Sequence, residues 1–109
     1  MFLLGEEVIA VVIMLATAYC SCASCCAPYD DGITAMGTEV EEGRTIAGPP
    51  EWPLGTKVYI EGMGVYTVED RGGAIKGNRI DVFMDCHNRA LQFGRRRERV
   101  WILEWGKKK

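Results

Sequence analysis

Glu69-Asp70-Arg71-Gly72-Gly73-Ala74-Ile75-Lys76-Gly77-Asn78-Arg79-Ile80-Asp81 sets two aspartates at either end of a glycine-rich turn. The run before it, Gly64 to Asp70, alternates apolar and polar residues like a half-buried strand, and Ile80 to Met84 reads as the next strand. Gly72, Gly73 and Gly77 allow positive φ and close passage of backbone. Asp70 closes one strand and Asp81 opens its successor, so a loop folding back between them brings both carboxyl groups to one cleft. Neighbouring carboxylates repel, and one then holds its proton to a higher pH. The result is a proton donor. The competing reading makes both aspartates turn residues bonded to nearby amides, the usual role of aspartate beside glycine.

Working outward, strand signals dominate. Val8 to Tyr19 is an apolar, β-branched run suited to a buried first strand. Gly32 to Gly43 reads as loop and hairpin, and Pro49-Pro50-Glu51-Trp52-Pro53 is a connector that cannot join a central ladder. Thr56 to Ile60 meets Gly64 to Asp70 across the short turn Glu61-Gly62-Met63. One helix is expected, from Cys86 to Phe93, with Asp85 as N-cap and Gly94 as its stop. Arg99 to Trp105 supplies the last strand. The 109 residues, 48% apolar and 26% charged, fit one domain over residues 1–109. A net charge of −2 gives no general attraction to nucleic acid. The basic run Arg95-Arg96-Arg97-Glu98-Arg99 and the tail Lys107-Lys108-Lys109 are read as solvated edges rather than as contacts to an anionic polymer.

Five ordered motifs together resemble the three-aspartate (3D) domain of Gram-positive cell-wall proteins and the related barrel of membrane-bound lytic transglycosylase A. They are Ala16-Thr17-Ala18-Tyr19; Gly32-Ile33-Thr34-Ala35-Met36-Gly37; Thr45-Ile46-Ala47 with Pro53-Leu54-Gly55-Thr56-Lys57-Val58-Tyr59-Ile60; the opening stretch; and Ala90-Leu91-Gln92-Phe93-Gly94 with Val100-Trp101-Ile102-Leu103. The resemblance implies a mainly β fold, a six-stranded double-psi β-barrel with one short helix near residues 86–93. It also implies action on peptidoglycan: cleavage of the β-1,4 bond between N-acetylmuramic acid and N-acetylglucosamine, without water, to leave a 1,6-anhydromuramyl end. By position, Asp81 matches the family's catalytic aspartate and Asp70 its acidic neighbour. The family's first aspartate would stand at Gly48, so one of three acids is missing, and a non-catalytic wall-binding module is the alternative.

Further site residues come partly from the resemblance and partly from the residues themselves. Tyr19 and Thr34 fall on motif positions near the cleft, Gly72, Gly73 and Lys76 lie on the glycine loop, and Trp52 is the best-placed sugar platform of the three tryptophans. Trp101 is read as core. Lys76 and Arg79 are either solvated turn charges or contacts to substrate carboxylates. No cofactor is implied and no metal is required. Cys20, Cys22, Cys25 and Cys26 crowd one loop, spaced poorly for zinc knuckles, and disulfides are preferred to metal. His87, beside Cys86 on the expected helix, is a helix-start residue rather than half of a nucleophilic dyad, because helix neighbours point about 100° apart. The first eighteen residues also permit an export signal, with Ala16-Thr17-Ala18 as a small-x-small cleavage site, but Glu6 and Glu7 stand where basic residues belong. A strand is the preferred reading, and the run is short for a membrane span. The implied location is the cell wall, outside the cytoplasm, with the export route open.

Overall fold

The computed structural model describes residues 8–20 and 32–107. Within them six strands, β1 Ala10–Tyr19, β2 Thr45–Ala47, β3 Lys57–Ile60, β4 Gly64–Asp70, β5 Arg79–Phe83 and β6 Arg96–Glu104, close into a barrel in the order β1-β5-β2-β4-β3-β6. One helix, α1 His87–Phe93, lies between β5 and β6. The strand β1 runs parallel to β5, and β2 parallel to β4; the remaining neighbours are antiparallel. Advancing every strand by three places carries each pairing onto another pairing of the same sense, which is the internal symmetry of the double-psi barrel.

Alternation explains which side chains fill it. Met14 and Ala16 of β1, Ile46 of β2, Val58 and Ile60 of β3, Val68 of β4, Ile80 and Val82 of β5, and Val100 and Ile102 of β6 are each no more than 2% exposed. Every strand therefore sends its inward positions to one core, and each fully buried aliphatic side chain stabilises the fold by roughly 1.5–3 kcal/mol. Closure also leaves no free sheet edge. The segment Ala10–Tyr19 pairs with both β5 and β6, so the barrel uses it as a strand, as preferred above.

Two elements cover outer walls near the site. The hairpin at residues 32–44, closed by the Ile33–Glu39 bridge, lies over β2 and β4. Glu42 from this hairpin ties it to α1: its carboxylate accepts from Arg89 Nη1 at 2.6 Å and Nη2 at 2.8 Å, and from the Asp85 amide at 2.9 Å. These bonds hold the Glu42 carboxyl down at about 2. The helix itself begins one residue later than expected. Cys86 is its N-cap and makes no side-chain cap bond, while the Asp85 carboxylate, expected to cap, accepts from Arg89 Nη2 at 2.6 Å. Gly94, at φ 68°, ends the helix where expected.

Candidate functional site

The two aspartates of the opening stretch meet through a third strand. Strands β4 and β5 are not neighbours; β2 lies between them. Ala47 at the end of β2 is the register partner of Asp81 on one side and of Asp70 on the other. Two strand spacings put the Cα atoms of Asp70 and Asp81 roughly 10 Å apart, with only a methyl group between them. A β-bulge makes this possible. Ile46 pairs with Val68, so regular pairing would set Ala47 against Glu69, but the register shift after Ile46 sets it against Asp70.

Glu69, which the shift leaves without Ala47 as its partner, is 4% exposed. Its carboxylate accepts from Arg44 Nε at 2.7 Å, Thr45 Oγ1 at 2.9 Å and Thr38 Oγ1 at 3.0 Å. That acid fastens the hairpin to the barrel and is shut off from any ligand.

Strand β1 supplies the holders of both aspartates. Thr17 and Tyr19, two residues apart and thus on the same face, bond Asp81 and Asp70 respectively: Thr17 Oγ1 donates to Asp81 Oδ1 at 2.9 Å, and Tyr19 Oη to Asp70 Oδ2 at 3.0 Å. Asp70 Oδ1 also accepts from the Ala35 amide at 3.0 Å and the Arg71 amide at 2.9 Å. Asp70 is thereby an oriented acceptor. Asp81, with a single side-chain bond, is pushed up to about 6. Burial is the main cause; the Thr17 bond and the Arg79 charge oppose it, and the Asp70 charge adds the smallest push. The sequence reading had the direction right but credited the carboxyl pair, where desolvation leads. Asp81 therefore keeps its proton to a higher pH than an exposed aspartate does.

The other expected site residues divide. Gly72 and Gly73 were expected to turn through positive φ together with Gly77, but Gly77 alone of the three does so, at 64°. Gly72 is constrained by space: a Cβ there would lie 2.9 Å from Ile75 Cγ1, and Ile75 is the buried plug of the loop at 4% exposure. Gly73 faces open space, and Lys76 is exposed. Thr34 is buried, its hydroxyl committed to Thr38 Oγ1 at 2.7 Å and the Thr38 amide at 3.1 Å, so it shapes the hairpin and leaves its neighbour Ala35 to touch Asp70.

Trp52 corrects the choice of sugar platform. It is 7% exposed and packs in the core. Arg71 is the reason: Nη1 donates to the carbonyls of Gly48 and Pro49, both at 3.2 Å, and Nη2 to that of Trp52 at 2.7 Å, which folds the proline-rich loop inward. Trp101, expected in the core, stands half-buried on the outer wall beside Tyr59, with ring centroids 5.5 Å apart. Trp105 is 44% exposed.

Gly48 likewise proves to be a contact rather than an empty seat. A Cβ on it would lie 2.9 Å from Val68 Cγ1 and 3.4 Å from the Trp52 ring, so restoring an acid there requires the wall to move. Sequence reasoning assigned no role to Thr17 or Arg71. The signal for Thr17 was available, two residues before Tyr19 on an alternating strand; Arg71 had none, since its partners lie about twenty residues away.

Of the cysteine loop, Cys20 lies within the described residues, 3% exposed with Sγ 3.4 Å from His87 Nδ1; Cys22, Cys25 and Cys26 lie outside them. His87 therefore ties α1 to the end of β1. Among the described residues no cluster of His, Cys, Asp and Glu has metal-site geometry, and no helix is long and apolar enough to cross a membrane.

The family model described as "3D domain" matches residues 44–104, more than half of the chain. The chain belongs to the 3D domain family. This 3D domain is 43% identical over 76 residues to the Bacillus subtilis cell wall-binding protein YocH, across 66% of this chain and 26% of the relative. To the putative cell wall shaping protein YabE of the same species it is 38% identical over 98 residues, covering 85% and 23%. It thus spans about a quarter of the length of these curated relatives. Among solved structures, Escherichia coli MltA with bound chitohexaose superposes with a TM-score of 0.55 at 19% identity, over 69% of this chain and 28% of that one. At that identity the shared property is the fold.

Proposed function

We propose that residues 1–109 form one 3D domain acting on peptidoglycan outside the cytoplasm as a lytic transglycosylase, with Asp81 as its acid and base. The observation that carries this reading is the placing of a half-buried Asp81, bonded to Thr17, and an oriented, hydrogen-bonded Asp70 on either side of Ala47. The names of the wall-binding and wall-shaping relatives support the polymer, and the chitohexaose bound by MltA supports a glycan ligand.

The chemistry balances with one acid. Asp81 gives its proton to the glycosidic oxygen as the bond from that oxygen to C1 of the muramyl residue breaks. Positive charge develops on C1 and the ring oxygen, and the Asp70 carboxylate, fixed by Tyr19, Ala35 and Arg71, stabilises it. The sugar's own C6 hydroxyl oxygen then bonds to C1, and its proton returns to the Asp81 carboxylate. Attack within one molecule replaces the water and base of an ordinary glycosidase, with the gain in effective molarity that proximity brings. The test is mass spectrometry of digested sacculi. Wild-type protein releases anhydromuropeptides and Asp81→Asn lowers that rate by roughly 10²–10⁴-fold; failure of the wild type to release any would falsify the catalytic reading.

A wall-binding module without turnover is the second reading, favoured by one observation: at the position of the first family acid, Gly48 is closed in by Val68 and Trp52. It predicts retention on purified peptidoglycan with no released product. The proposed disulfides belong to the same extracytoplasmic reading. They are supported by Cys20 being bonded as a half-cystine while Cys86 is a free thiol.

A further inference from the structure

Against the hairpin tip the surface opens into a groove of about 510 Å³ lined by Met36, Leu54, Gly55, Glu104, Trp105 and Lys107. That volume falls within the ~300–1,000 Å³ usual for small-molecule sites. Its wall is continuous with the candidate centre. Ala35, whose amide holds Asp70 Oδ1 at 3.0 Å, also lines the groove, and the next amide, Met36, donates to the Glu69 carbonyl at 2.9 Å.

The floor is built by two glycines in contact. Gly106 passes so close to the chain at Leu54 that no Cβ fits there. Gly55, at φ 94°, faces the Gly106 backbone from the other side. The Gly106 amide donates to Thr56 Oγ1 at 2.9 Å, and that hydroxyl donates to the Pro53 carbonyl at 2.6 Å. Trp105 is therefore carried on a pinned segment although 44% of it is exposed, and Met36 is exposed to 45%. An apolar platform held rigid at the surface, with one cation and one carboxylate at its rim, contributes little to the barrel core.

We propose that this groove is a sugar subsite, binding an N-acetylated pyranose of the glycan strand one step along from the ring that meets Asp70. The inference rests on the glycan-binding part of the reading above. The occupant follows from the lining. The C–H face of a pyranose stacks on the flat Trp105 ring, the acetamido methyl lies against Met36 and Leu54, and Lys107 meets the lactyl carboxylate where the residue is muramic acid.

The test is binding of chitohexaose to the full chain, followed by calorimetry at a pH where nothing is cleaved. Trp105→Ala is expected to weaken binding about tenfold or more, while Trp101→Ala, on the outer wall, leaves it unchanged. Partly N-deacetylated hexamer is expected to bind wild type more weakly than chitohexaose, and Met36→Ser to narrow that ratio. Should Trp105→Ala fail to fold, Trp105→Leu keeps apolar volume without the flat face and is expected to show the same loss. Absence of chitohexaose binding by wild type, equal binding by the folded Trp105 variant, or equal losses from Trp101→Ala overturns the subsite. The two readings separate cleanly: binding through Trp105 with no anhydro product leaves the subsite standing and removes catalysis, whereas anhydro product with an unchanged KM in Trp105→Ala does the reverse.

Discussion

Replacing Asp81 by asparagine is expected to make the protein more stable at pH 7, although it removes the group on which turnover rests. The native fold raises this carboxyl from 3.8 to about 6, chiefly by burial, so it favours the neutral form. Native protein then binds more protons than unfolded protein between about pH 4 and 6, and stability falls as pH rises through that window. In full this amounts to about 3 kcal/mol lost by pH 7. Asp81 keeps some contact with solvent, and screening brings the expectation down to about 1–3 kcal/mol. Asparagine keeps an Oδ1 for the Thr17 hydroxyl and carries no charge, so it recovers this cost.

The assay is urea unfolding of wild type and Asp81→Asn at pH 4 and pH 7. Taking the difference between the two proteins at each pH cancels every other titration, that of Glu42 included. The expected result is a gain of about 1–3 kcal/mol at pH 7, or roughly 5 °C or more in Tm, that shrinks to near zero at pH 4. Equal stabilities at pH 7, or a gain of the same size at both pH values, would show that Asp81 is not a desolvated acid and would remove the physical basis for its role.

The remaining predictions concern the residues around it. Thr17→Val deletes a bond that holds the Asp81 carboxyl down, so the alkaline limb of the activity profile is expected to move to higher pH, read from rates of wall digestion. Tyr19→Phe frees one oxygen of Asp70 and is expected to lower kcat about tenfold with little change in KM, as befits a positioning residue; a rise in KM alone would place Tyr19 against substrate instead. Gly48→Asp is expected to destabilise by about 1–3 kcal/mol without raising turnover, because its Cβ meets Val68 at 2.9 Å; thermal unfolding and the digestion assay check the two halves. Glu69→Ala strips Thr38, Thr45 and Arg44 of their buried acceptor and is expected to cost about 3 kcal/mol or more in chemical denaturation.

Much of the barrel was legible because alternation is a direct image of a wall with a core on one side. Five strands show it, and their ends fell within a few residues of those expected. Strand β2 does not, since all three of Thr45–Ala47 are buried, on one side by the core and on the other by the hairpin. Only the resemblance marked it, and without β2 the loop between Asp70 and Asp81 looks like a simple reversal. The tryptophans were misjudged for a related reason. Proline-rich loops usually lie outside, and nothing local shows that Arg71 will gather three of this loop's carbonyls and turn Trp52 inward. Asp85 has the composition of an N-cap, but the competing Arg89 lies four residues on, where a helix brings it back within reach.

The division of labour between adjacent acids follows from the bulge. Glu69 and Asp70 are sequence neighbours on one strand, and the register shift breaks the regular alternation there, so that Asp70 rather than Glu69 is set against Ala47. The longer side chain reaches Arg44, Thr45 and Thr38 beneath the hairpin and fixes the strand; the shorter one is left at the rim, where Tyr19 and two amides orient it. Asp81, by contrast, receives one side-chain hydroxyl and is half-buried. Asp70 is an acceptor fixed by several donors and Asp81 is a carboxyl raised by burial, so the same residue type is prepared for two different tasks on either side of one alanine. A third acid at Gly48 would have to displace Val68 or Trp52, the side chains that close the wall behind that alanine.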